Sequence, residues 1–187
     1  MAAHTACELN IAEISEEIGV SQVTIKEWIG VLYDSGIIIL LQPFTQNIIK
    51  RVVKHPKIHL MDTGLVSYLL KYPSADILEN SNINGRIFET YVVSEIVKSL
   101  SASGKDARDL YYYRDNAKHE LDLIYQDART LYPIEIKKGK SIQKENAKNF
   151  KFFKNKELDV AKGIIICNGD DIFPLDNDVY CVPVRYI

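Results

Sequence analysis

Apolar residues recur at helical spacing near the start of the chain. Ile11, Ile14 and Ile18 stand at i, i+3 and i+7, which predicts a short amphipathic helix over Asn10 to Gly19, ended by the glycine. Ser21 is placed to cap a second helix with an apolar stripe of Ile25, Trp28, Ile29 and Leu32 and a stop at Ser35-Gly36. The period then changes. Ile37 to Leu41 and Asn47 to Val53 are β-rich runs separated by a break at Pro43. His55 to Gly64 leads into a short helix over Leu65 to Lys71, Tyr72-Pro73-Ser74-Ala75 marks a break, and Asn80 to Gly85 is a polar loop.

Two helices split at Gly19-Val20 fit a helix-turn-helix, and the hairpin after them would serve as its wing. The outward positions of the second helix are Gln22, Val23, Lys26, Glu27 and Gly30, a poor set for reading bases. The pattern therefore predicts a small winged-helix-like segment over residues 1–80 and a second domain over 81–187.

The second part alternates its periods in a readable order. Arg86 to Leu100 reads as a helix, and Leu110 to Arg114, His119 to Gln126 and Thr130 to Lys137 as strands. Ser141 to Lys156 reads as a helix, and Ala161 to Cys167 and Val179 to Tyr186 as strands. The order α-β-β-β-α-β-β predicts an α/β protein of the α+β kind, with helices covering a mixed sheet.

Composition narrows the class without naming a function. Of 187 residues, 47% are hydrophobic and 26% charged, the balance of a globular chain. The longest apolar run, Ile37 to Leu41, is far short of a membrane span, so no membrane partner is expected. Cys7, Cys167 and Cys181 fit no paired metal-binding spacing, and with no secretory signal at the N-terminus the expected location is cytoplasmic.

Net charge is only −2, but the charges are segregated. Gln42 to Leu60 carries Lys50, Arg51, Lys54 and Lys57 and no acid, and Lys137 to Lys156 carries eight lysines against Glu145 alone. Such segregation suits a polyanion such as a nucleic-acid backbone, or simply a solvated face.

The two middle strands hold the candidate chemistry. A turn centred between Ala128 and Arg129 makes Asp122 and Glu135 equidistant from its midpoint, which sets the carboxylates opposite one another with β-carbons roughly 5 Å apart. At an effective dielectric near 20 their repulsion is about 3 kcal/mol, which calls for a divalent cation or an ammonium. Strand alternation adds Lys137 to the patch, opposite Glu120, and sends Leu121, Leu123, Ile134 and Ile136 to the other face. Three acids exceed what one lysine neutralises. Hard oxygen ligands of this kind suit Mg2+ or Mn2+.

Asp122, Glu135-Ile136-Lys137 after a hairpin, a preceding helix with Glu89 and a following Lys-rich helix resemble the PD-(D/E)XK nuclease superfamily, whose restriction-endonuclease-like core runs α-β-β-β-α-β. The whole chain is also similar to the C-terminal region of bacterial and archaeal AAA-type ATPases. That similarity rests on Lys57 to Leu65, Gly85 to Glu95, Tyr113-Arg114-Asp115, Glu120-Leu121-Asp122 and Pro133 to Lys137.

The resemblance implies a DNA-associated module with magnesium-dependent phosphodiester hydrolysis. It makes Asp122, Glu135 and Glu89 the metal-binding acids and Lys137 the catalytic lysine, with Glu120 and Gln143 beside the site. Lys138, Lys140, Lys144, Lys148 and Lys151, with Lys50, Arg51 and Lys54, would follow the DNA backbone. Leu121 stands where the motif's name expects proline. The alternative is a non-catalytic DNA-binding or regulatory module. The expected partner besides DNA is an ATPase domain of the same full-length protein, because no G-x-x-x-x-G-K-[ST] is present: Gly139-Lys140-Ser141 matches its end, but Ile134 stands at the first glycine. No ATP binding by this chain is expected. His55 and His59 are i and i+4, but Pro56 between them argues against a helical ligand pair. Tyr111-Tyr112-Tyr113 is read as sheet packing.

Overall fold

The computed structural model describes residues 1–45, 55–155 and 157–187. Helix α1 (Ile11–Ile18) begins where Asn10 Oδ1 accepts the Glu13 amide hydrogen and ends at Gly19, whose φ of 77° is left-handed. Helix α2 (Gln22–Asp34) begins where Ser21 Oγ accepts from Thr24 N. Both helix starts satisfy amides that would otherwise have no partner. The apolar stripe of α2 is narrower than its spacing suggests. Ile25 and Ile29 are buried against Ile14, Ile38 and Val66, whereas Trp28 remains 49% exposed.

Strand β1 (Cys7–Glu8) precedes the helices, and β2 (Ile38–Pro43) follows them. β2 pairs antiparallel with β3 (Lys57–Leu60), from Ile38↔Leu60 to Leu41↔Lys57. The segment around Lys57, expected as a lead-in to a helix, is therefore a strand, and it is buried along its whole length. The run Asn47 to Val53 lies outside the described residues. Pro43 does not break β2. It pairs parallel with Tyr112, and the amide that donates to Tyr112 O is that of Phe44, at 2.6 Å, so the missing proline N–H costs no ladder bond.

Helices α3 (Thr63–Leu69) and α4 (Ala75–Glu79) lead to the long helix α5 (Asn84–Ala102). A meander of β4 (Leu110–Arg114), β5 (Glu120–Asp127) and β6 (Thr130–Lys137) follows. After a 3₁₀ helix over Lys144–Phe152 come β7 (Asp159–Val160), β8 (Gly163–Cys167), β9 (Phe173–Pro174) and β10 (Val179–Pro183). The 3₁₀ helix stands where an α-helix over Ser141 to Lys156 was expected. Its apolar contacts, Ala147, Phe150 and Phe153, recur every third residue, which is the period of a 3₁₀ helix.

Among the described residues the strands form one mixed sheet in the order β1-β3-β2-β4-β5-β6-β8-β10-β9, with β7 beside β6. The parallel pairing of β2 with β4 carries the sheet across residue 80. Helix α5 covers one face, where Val92, Val93 and Val97 meet Leu123, Ile134 and Ile136. Phe44, Leu121, Ile124, Leu131 and Phe153 form a separate cluster, in which the Tyr113 and Phe153 rings meet edge to face at 4.9 Å. No helix among the described residues is long and apolar enough to cross a membrane.

Candidate functional site

The β5–β6 hairpin keeps a symmetric register from Asp127↔Thr130 to Leu123↔Ile134, and one further step sets Asp122 opposite Glu135. The backbone pairing stops just there. The Ile136 amide donates instead to Asp122 Oδ2 at 2.8 Å, so a side chain continues the ladder and orients the carboxylate.

On the other side of β5, Tyr111 pairs with Ile124 and Tyr113 with Leu121, so Asp122 and Leu123 together oppose Tyr112 alone. This is a β-bulge, a device that re-aims side chains. It corrects the simple alternation. Leu121 packs with Ile124 and Leu131 rather than with Leu123, Ile134 and Ile136. Glu120 and Lys137, expected as a facing pair, take different partners.

Glu135 is 4% exposed. Lys137 Nζ donates to its Oε1 at 2.5 Å, whereas its Oε2 is buried with no hydrogen-bond partner among the described residues. Burial, reinforced by the Asp122 charge, pushes the Glu135 carboxyl up to about 7 despite Lys137. Burial alone would lower the Lys137 ammonium, but Asp122 and Glu135 hold it above the usual lysine range.

Helix α5 supplies Glu89, and β3 supplies Lys57, which was expected as part of a basic run and of the family resemblance but not at the site. Lys57, 5% exposed, sets Nζ 3.2 Å from Glu89 Oε1 and 2.5 Å from Glu120 Oε1. Burial lifts Glu89 to about 8, with Lys57 opposing. Burial would likewise lower Lys57, but Glu89, Asp122 and Glu120 together raise it. Arg114 also reaches Glu120, at 3.9 Å, while pairing with Glu8 at 2.5 Å. The available signal for Lys57 was its place in an alternating Lys57-Ile58-His59-Leu60 run, which suits a strand with an inward-facing cation.

The residues expected around this cluster divide into several environments. Lys138 is paired with Glu79 at 2.5 Å. Lys140, Lys144, Lys148 and Lys151 are exposed, and Lys50, Arg51 and Lys54 lie outside the described residues. Gln143 is exposed at the start of the 3₁₀ helix, where its amide donates to Asn146 Oδ1. Asn149 from the same helix donates to Glu120 O at 2.7 Å, tying the lysine-bearing segment to the beginning of β5.

Among the described residues no group of three His, Cys, Asp or Glu side chains is already gathered as a ligand set. The donor chemistry nevertheless fits a hard divalent cation. Asp122, Glu135 and Glu89 offer carboxylate oxygens, and the orphaned Oε2 of Glu135 is a buried acceptor that a cation would satisfy. With all four ionised, the carboxylates of Asp122, Glu135, Glu89 and Glu120 exceed the ammonium groups of Lys57 and Lys137 by two formal negative charges, which one divalent ion offsets, Arg114 and Glu8 beside Glu120 cancelling one another.

A family model described as a domain of unknown function, DUF4143, matches residues 84–187. A second, also described as a domain of unknown function, DUF8612, matches residues 1–76. The chain is 29% identical over 176 residues to the uncharacterized protein Rv2008c of Mycobacterium tuberculosis and to the uncharacterized protein Mb2031c of Mycobacterium bovis. The match covers 94% of this chain but 38% of each relative. No solved structure gives a significant match.

Proposed function

We propose that this chain, which belongs to the DUF4143 family, is a DNA-associated module of an AAA-type ATPase that hydrolyses phosphodiesters with Mg2+ or Mn2+. In this reading a restriction-endonuclease-like core follows a winged-helix-like segment. The observation that carries it is the buried Glu135 Oε2, unpartnered among the described residues, beside Lys137 and opposite Asp122. The frequent occurrence of DUF4143 at the C-terminus of AAA ATPases supports the assignment to such a protein.

Asp122 and Glu135 would hold the ion, with Glu89 as an outer ligand. When bound, the ion supplies Lewis-acid stabilisation of charge at phosphorus and a more acidic water. The protein's own groups do the rest. The Ile136 amide fixes the direction of Asp122, and Glu135 presents Oε2 from a buried wall. Lys137 Nζ, already within hydrogen-bonding distance of Glu135, orients the attacking water or neutralises the phosphate as charge develops. Lys140, Lys144, Lys148 and Lys151 follow the DNA backbone by counterion release.

A second reading, a non-catalytic DNA-binding or regulatory module, is favoured by Lys57, which already bonds Glu89 and Glu120 in place of a metal ion. Divalent-dependent cleavage of labelled DNA separates the two. The first reading requires cleavage that an Asp122→Ala/Lys137→Ala double variant lacks. The second requires DNA binding that survives in the double variant, without cleavage by either protein.

A further inference from the structure

The ammonium of Lys57 is built into the sheet. Its strand is interior: Lys57 pairs with Glu8 of β1 on one side and Leu41 of β2 on the other. Its Nζ lies 5.6 Å from the centroid of the Tyr112 ring, and Tyr112 is itself anchored by donating its hydroxyl hydrogen to His55 O at 2.7 Å. With the backbone fixed on both edges and the side chain boxed by an aromatic ring, this cation remains beside Glu89 and Glu120. It bonds one carboxylate oxygen of each. The acids of the cluster are thus not equivalent. Two are occupied by Lys57, Asp122 is oriented by a backbone amide, and Glu135 keeps one oxygen with no partner among the described residues.

We infer that Lys57 is an internal counter-cation that decides which carboxylates a divalent ion reaches. By holding Glu89 and Glu120 it leaves Asp122 and Glu135 as the direct ligand pair and confines the site to one ion. The inference rests on the metal-binding reading proposed above and assigns Lys57 a positioning role within it. A second ion approaching Glu89 would meet a fixed like charge in a poorly solvated place, where screening is weak.

The test counts Mn2+ bound to the full chain by the electron paramagnetic resonance signal of the free ion. It compares the wild type with Lys57→Met, Lys57→Arg and Asp122→Ala. The wild type and Lys57→Arg bind one Mn2+, and Lys57→Met binds it about tenfold more tightly, or takes up a second ion, because removing a nearby positive charge favours a cation. Damage to the fold alone would weaken binding. Unchanged or weaker binding by folded Lys57→Met, with wild-type binding lost in Asp122→Ala, overturns the role of Lys57 and leaves the metal site standing. No binding by either wild type or Lys57→Met overturns both. Binding by Lys57→Met alone supports the role of Lys57 and removes the hydrolytic reading for the wild type. Should Lys57→Met fail to fold, Glu89→Gln and Glu135→Gln decide. Weaker binding in Glu135→Gln than in Glu89→Gln supports the inference, and the reverse order overturns it.

Discussion

Asp122 Oδ2 accepts the Ile136 amide hydrogen at 2.8 Å, one residue past the last backbone pair of the β5–β6 hairpin. A side chain thus satisfies a buried amide where the β5–β6 ladder ends, and Glu135 and Lys137 pair with each other beside it. The bulge opposite Tyr112 and the end of the ladder are therefore parts of one arrangement, in which a backbone amide orients Asp122.

Asp122→Ala leaves the Ile136 amide without its acceptor, and the expected loss of unfolding free energy in urea is about 1–3 kcal/mol. Asp122→Asn keeps an oxygen acceptor and loses less than the alanine variant. Equal stability of both variants and the wild type would remove the structural role assigned to this carboxylate.

The metal-free protein should lose stability as pH rises from about 5 to about 8. Glu135 lies near 7 and Glu89 near 8 in the fold, against 4.5 for an unperturbed glutamate. Between those values the folded chain retains protons that the unfolded chain releases, so unfolding free energy falls with pH and levels off above the folded values. Melting temperatures in the presence of a chelator should show this slope, and Glu135→Gln should flatten it. Stabilisation by added Mg2+ should grow over the same interval, because the ligands must be ionised to bind it.

Gly163 marks the contact between β8 and the lysine-bearing 3₁₀ helix. A Cβ there would lie 2.6 Å from Phe150 Cδ1, so Gly163→Ala must displace the Phe150 ring. The expected destabilisation is about 1–3 kcal/mol. It should be accompanied by loss of the Phe150 packing signature in near-ultraviolet circular dichroism.

Neutralising Lys140, Lys144, Lys148 and Lys151 together should weaken DNA binding and flatten its salt dependence, each phosphate contact contributing about 0.9 to the logarithmic slope. Lys138→Ala should alter the slope less, because its ammonium already pairs with Glu79. Fluorescence anisotropy of labelled duplex across a salt series measures both. A slope unchanged by the fourfold variant would remove these lysines from the DNA path.

What the sequence made legible was mostly local. Asn10, Gly19 and Ser21 mark the ends of their helices because the bonds they make lie within a few residues. The hairpin register followed from counting outward from its turn. The departures come from distant partners. The bulge that redirects Leu121 exists because β5 must also pair with β4. Pro43 stays in a strand because Phe44 supplies the amide bonded to Tyr112. Lys57 was legible as part of a basic run but not as a site residue, because Glu89 and Glu120, which draw it inward, are 32 and 63 positions away in the chain. The segment Ser141 to Lys156 was expected as an α-helix, while its three-residue apolar period pointed to the tighter helix.

The most direct measurement is a cleavage assay on labelled single-stranded, duplex and branched DNA, with Mg2+, Mn2+ or a chelator, comparing the wild type with the Asp122→Ala/Lys137→Ala double variant. Products are expected only from the wild type and only with a divalent ion. Absence of cleavage under every condition, or equal cleavage by the double variant, would contradict the hydrolytic reading.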